Sequence, residues 1–144
     1  MKPRRKNIEP DSKERIFVNT EETKQIMSMK LEVVPLTVSD VDGSITFYRD
    51  KVGFILDHDM KPNKNMRVVQ LTPNGSACSI VFGVGIQAAD SVKGLHLVVE
   101  DISKVRNRLI INGVEVSNIE DMGAIKYAYF DDLDNNSWAL QQIG

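Results

Sequence analysis

His96 and His58 are the two imidazoles of the 144-residue chain, and His96 has the setting in which imidazole chemistry could count. It lies in GLHLVVED, Gly94 to Asp101. In a strand, Leu95, Leu97 and Val99 would face a core, and Gly94, His96 and Val98 the opposite side. An imidazole there could exchange one hydrogen bond with a ligand or act as general base near neutral pH. It could equally be satisfied by a neighbour on the next strand. A metal centre built on it could draw on Gln141 or Glu100, but a catalytic ion takes about three protein ligands plus an open position. Gln141 shares a strand face with Ala139, so its amide points with that face or sits at a wet rim. Tyr127 and Tyr129 alternate with Ala128 and Phe130. Facing inward, the tyrosines would supply aromatic walls with hydroxyl handles; on reversed parity Ala128 and Phe130 would line the site. Trp138 has the opposite parity to Ala139 and reads as core. Cys78, in step with Ile80 and Phe82, reads as an inert core thiol, and His58 in DHDM reads as exposed.

The elements that would position these residues come as a repeat. PLTVSDVDGSITFYRDKVGFIL (Pro35–Leu56) and HLVVEDISKVRNRLIINGVEV (His96–Val116) share one plan. Each is an alternating strand ending at an acid, then an amphipathic helix, a glycine and a new strand. Val41, Ile45, Tyr48 and Val52, and then Ile102, Val105 and Leu109, form apolar stripes at helical spacing. Asp40 and Asp101 suit the N-cap, and Gly53 and Gly113 the left-handed position that ends a helix. Three strand-like segments follow each helix, over residues 54–60, 66–72 and 76–82, then 114–119, 125–130 and 137–143. The chain therefore reads βαβββ twice. This predicts an α+β fold in which two such modules form a cup-shaped mixed sheet with the helices on its outer face.

Composition bounds the rest. Residues 1–29 carry seven Lys/Arg and five Asp/Glu with few apolar residues, the pattern of a mobile extension or a short docked helix. Residues 30–144 form the domain, module one over 30–84 and module two over 92–144. A net charge of −2 argues against a nucleic-acid surface, which needs a clustered basic excess. The single cysteine excludes an internal disulfide framework and fits a reducing compartment. No apolar run approaches the roughly 18–20 residues of a membrane span, and the basic start lacks the apolar core of a secretory signal. A cytoplasmic protein is expected. In the connection FGVGIQAADSVKG (Phe82–Gly94) the glycines permit close backbone approach, but no Lys-Ser/Thr follows to make a phosphate loop.

LTVSDVDGSITFYRDKVGF, GLHLVVEDI and the turn-plus-strand DLDNNSWALQQI together resemble the vicinal oxygen chelate superfamily of glyoxalases, bleomycin-resistance proteins and extradiol dioxygenases. The resemblance covers Lys30–Ile143. It departs in the late turn, where Leu133 and Asn135 stand for the family's proline and glycine. It implies paired βαβββ modules around a cavity, often in a dimer, and in the enzymes a divalent metal held by His, Gln or Glu. Aligned on each module's first strand, ending at Asp40 or Asp101, and through the turns before each last strand, the four ligand positions that the resemblance implies fall on Val33, Ser79, Gly94 and Ala139. Three have no side-chain donor, and Ser79 is a poor ligand for a transition ion.

These residues predict a protein that binds a small, partly apolar molecule in an internal cup, without metal or other cofactor. His96, Tyr127, Tyr129, Gln141, Val33 and Ser79 are its candidate ligand-binding residues, and a homodimer is expected. Whether it catalyses a reaction stays open. The alternatives are a metal-dependent lyase or isomerase of the lactoylglutathione-lyase kind or a dioxygenase, and a metal-independent enzyme with His96 as the catalytic base.

Overall fold

A computed structural model describes residues 20–86 and 90–144. Most of the expected extension, residues 1–19, and part of the inter-module connection, residues 87–89, lie outside the described residues. The chain divides into a unit ending at Leu31 and a domain, Glu32–Gly144. In the first unit, α1 (Glu21–Ile26) is capped by Thr20, whose Oγ1 accepts from the Thr23 amide. Among the described residues no helix is long and apolar enough to cross a membrane.

The domain holds the two expected βαβββ modules as an open, cup-like mixed sheet in two four-stranded halves. Module one runs β1 (Val33–Pro35), α2 (Val41–Ile45, continued as a π-helical turn over Thr46–Val52), β2 (Ile55–Asn63), β3 (Met66–Thr72) and β4 (Ser79–Val84). Module two runs β5 (Leu95–Val98), α3 (Ile102–Ile111), β6 (Glu120–Asp121), β7 (Ile125–Asp131) and β8 (Ser137–Ile143). Their strand orders match, β1-β4-β3-β2 and β5-β8-β7-β6, with the first strand of each parallel to the last.

Local chemistry explains the helix boundaries. Asp40 and Asp101 accept from the amides three residues on, at 3.0 and 3.1 Å, as N-caps. Gly53 and Gly113 both sit at φ 93°, where a side chain would be strained. The expected 3.6-residue stripe of α2 does not continue to Val52. From Thr46 the helix widens, and the Tyr48 carbonyl accepts from both Gly53 and Phe54. The wider turn lets adjacent Phe47 and Tyr48 both reach the core. The expected strand over 114–119 is absent too, and β6 is a two-residue strand beyond it. There the Ser117 side chain accepts from the Tyr129 amide, replacing a ladder bond.

The core lies on the helix-bearing side of both halves and joins them. Phe47, Tyr48, Phe54, Leu71, Ile80 and Phe82 are buried with Leu109, Phe130, Trp138 and Leu140 in one cluster. Burial and then the Asp132 carboxylate raise the Tyr48 phenol far above its ordinary value. Tyr48 Oη donates to Asp132 at 2.5 Å and accepts from Trp138 Nε1 at 3.0 Å. At the edge, Arg67 forks onto Asp59, with two bonds of 2.9 Å, and reaches Asp42 at 2.9 Å. Its guanidinium holds the Asp59 carboxyl below the usual carboxylate range. Cys78 is half-buried just before β4, not a core thiol, its Sγ turned to the Ser79 carbonyl.

Two outcomes test this packing. A Cβ on Gly83 (φ 151°) would lie 1.8 Å from the Arg67 carbonyl oxygen across the β3–β4 ladder. Gly83→Ala should therefore cost at least about 2 kcal/mol in urea unfolding; an unchanged midpoint would contradict the close approach. Tyr48→Phe leaves Trp138 Nε1 and Asp132 each short a partner and should cost about 2 kcal/mol at neutral pH. Because folding raises the Tyr48 pKa, its contribution is complete below about pH 10 and declines above it, where the unfolded chain ionises and the native one does not. Relative to Tyr48→Phe, the parent should lose about 1.4 kcal/mol per pH unit there. Parallel alkaline profiles would refute the buried protonated phenol.

Candidate functional site

The site is built on the face of module two opposite the core. Along β5, Leu95 and Leu97 pack against the core cluster while His96 and Val98 are exposed on the other side. The same alternation divides β8, with Trp138 and Leu140 buried in the core cluster and Ala139 and Gln141 on the far side. On β7, Ala128 and Phe130 take the core side, and Tyr127 and Tyr129 the open one.

Strand pairing draws four of the candidate residues into one patch. His96 stands opposite Ala139, and Gln141 opposite Tyr127. The His96 ring meets the Tyr127 ring edge-on, centroids 6.0 Å apart, and the Tyr127 and Tyr129 rings stack at 6.1 Å, 8° from parallel. Gln141 Nε2 donates to Tyr127 Oη at 3.3 Å, and Tyr129 Oη donates to Glu120 at 3.5 Å. Partial desolvation and then the Glu120 carboxylate raise the Tyr129 phenol above its ordinary value. His96 Nδ1 lies 2.8 Å from the Gly94 carbonyl.

Val33 and Ser79 lie elsewhere, paired with each other on the corresponding face of module one. Around Ser79 a chain of polar groups has a fixed direction. Asp57 can only accept from Thr72 Oγ1, so the 2.6 Å contact between Thr72 and Ser79 takes its proton from Ser79. Gln70 Nε2 donates to Ser79 Oγ from 3.4 Å. The serine hydroxyl is thus engaged as both donor and acceptor.

The pairing also bears on one position that the family resemblance implies. Val33 opposes Ser79, but Ala139 is opposed by His96 rather than by Gly94. From the last ladder donor to the N-cap, module one runs Leu36 to Asp40 and module two only Val99 to Asp101. Counting back from the helix therefore misplaces the seat by two residues. By pairing, the matched positions are Val33 with Ser79 and His96 with Ala139. The set does not fit a divalent metal, because it offers one imidazole and a hydroxyl already bonded on both sides. Among the described residues no three His, Cys, Asp or Glu side chains gather as an ion site. Glu100 follows β5 and is absent from the patch's contacts, and His58 is exposed on β2.

Sequence parity could not reveal Asn136, which is fully buried. Its Oδ1 accepts from Val92, and its Nδ2 donates to Asp132 and the Thr37 carbonyl. It holds the turn before β8 and so sets where Ala139 and Gln141 fall. The signal was present in DLDNNS as a polar turn, but its partners are 44 and 99 residues away.

Comparison with known proteins supports the same architecture. TnmS3, an antibiotic binding protein from Streptomyces sp. CB03234, superposes with a TM-score of 0.73 at 28% identity, covering 82% of this chain and 98% of that one. A glyoxalase/bleomycin resistance protein from the same organism gives 0.68 at 30% identity, covering 78% and 100%. A superfamily member from Sphaerobacter thermophilus DSM 20745 gives 0.69 at 25% identity, covering 81% and 98%. No curated protein matches the chain. Residues 27–140 match the family profile, and the chain belongs to the Glyoxalase/Bleomycin resistance protein/Dioxygenase superfamily, whose fold is the vicinal oxygen chelate fold.

Proposed function

We propose that this is a cytoplasmic binding protein that takes a small, partly apolar, planar molecule on the His96–Tyr127–Tyr129–Gln141 face without using a metal. The observation that carries this is the stacked tyrosine pair, with an imidazole edge and an amide beside it, on an open sheet face. Stacked rings offer a large flat contact, and the polar tips fix orientation. Two of the family's ligand seats carry no donor, and the antibiotic-binding relative lends support to a binder. The face is also apolar enough to need a cover. Val98 is 66% exposed and Ile143 62%, on the same side as half-exposed Tyr129. We infer that a second copy of the chain closes it, making the cup a shared one.

Two measurements test this reading. Titrating flat polycyclic compounds of antibiotic size should quench tyrosine fluorescence equally with and without EDTA. Tyr127→Ala should weaken binding about tenfold, the stacking increment of about 1–1.5 kcal/mol; silence from every compound, or dependence on a restored cation, would reject the proposal. Sedimentation of the full chain should show a dimer, and Val98→Asp should shift it toward monomer, with a monomeric parent counting against the shared cup.

A further inference from the structure

The hydrogen bonds already made on this face fix which ones remain for a ligand. A backbone carbonyl can only accept, so the 2.8 Å contact to the Gly94 oxygen places a proton on His96 Nδ1. In the neutral imidazole that leaves Nε2 as a bare acceptor on an exposed ring. The neighbouring phenols differ in the same way. Tyr129 spends its proton on Glu120. Tyr127 Oη instead accepts a hydrogen bond from Gln141 Nε2, so its own O–H is left to donate outward. The His96 and Tyr127 rings meet edge-to-face with centroids 6.0 Å apart, so the two rings that carry this acceptor and this donor are neighbours on one face. Both belong to strands of one sheet, so their directions are held before any ligand arrives.

We infer that the site selects planar aromatic compounds that carry an N–H or O–H donor and a carbonyl acceptor along one edge, as a fused-ring lactam does. The donor goes to His96 Nε2, the carbonyl accepts from Tyr127, and the flat body lies along the stacked tyrosines. This rests on the binding role proposed above and adds the polarity of the ligand's edge. Gln141 is a positioning residue, since it acts by occupying the Tyr127 oxygen and turning its proton outward.

Three bicyclic probes separate the possibilities by calorimetry on the full chain: 2-quinolone, N-methyl-2-quinolone and naphthalene. The first should bind about tenfold more tightly than the second, and the second about tenfold more tightly than naphthalene. His96→Phe should erase its advantage over the N-methyl compound. Tyr127→Phe should weaken both quinolones about tenfold while leaving naphthalene unchanged. Gln141→Glu, which recaptures the Tyr127 proton, should reproduce the Tyr127→Phe pattern, a result that general loosening of the strand would not give. Melting curves confirm that each variant is folded. Equal binding of all three probes would overturn the edge-recognition inference and leave the binding proposal intact. Binding by none of them overturns the inference as well, and the broader proposal then stands or falls on the polycyclic titration.

Discussion

Asp132 is the point on which the two modules lock. It is 7% exposed, and its two oxygens accept from Tyr48 Oη, Asn136 Nδ2 and the amides of Asp134 and Asn136. A carboxylate taken from water is tolerated only when its lone pairs are filled, and removing one hydrogen-bond donor to such a group costs about 1–3 kcal/mol. The partners come from both modules, so neither half satisfies this group alone. The turn that Asp132 anchors leads directly into β8, which carries Ala139 and Gln141. Geometry at the open face is thus fixed by hydrogen bonds made on the core side.

The same constraint accounts for the irregular helix of module one. Tyr48 must reach Asp132 and Trp138 while the adjacent Phe47 packs edge-on against it, centroids 5.1 Å apart, and against Phe130 at 6.4 Å. An α-helix spreads consecutive side chains by about 100°, which would turn one ring outward. The π-helical turn narrows that angle, and Tyr48 stacks on Phe54 at 5.5 Å where the chain re-enters the sheet. Wider helical turns form poorer ladders, so the burial of four aromatic rings around Tyr48 offsets a local cost.

Much of this was legible in residue order, because alternation is a local property. Leu95 and Leu97 flank His96, and that alone assigns its face; the same holds for the tyrosines between Ala128 and Phe130. Capping aspartates and terminal glycines also announce themselves locally. Pairing between distant strands does not. His96 could be assigned a face but not an opposite number, because the β5–α3 connection is two residues shorter than its counterpart and alignment through the helices hides the difference. The Asp132 network was illegible for a similar reason, since nothing near DLDNNS shows that Tyr48 lies beside it. Ser117 is a third case, where a side chain stands in for a ladder bond in a segment whose apolar pattern reads as strand.

Set against the ligand positions that the family resemblance implies, the two faces differ from each other. Module one keeps polar groups but turns them on one another, ending at Asp57, so its seat is internally satisfied. Module two has a single imidazole, and opposite it stands the methyl group of buried Ala139. A buried hydroxyl engaged on both sides has little left to offer an incoming molecule, whereas an exposed imidazole and a part-buried phenol with fixed outer valences lose little freedom on binding. In the binding role proposed above, recognition is therefore concentrated on the module-two face, with selectivity from hydrogen-bond direction and ring area rather than from charge.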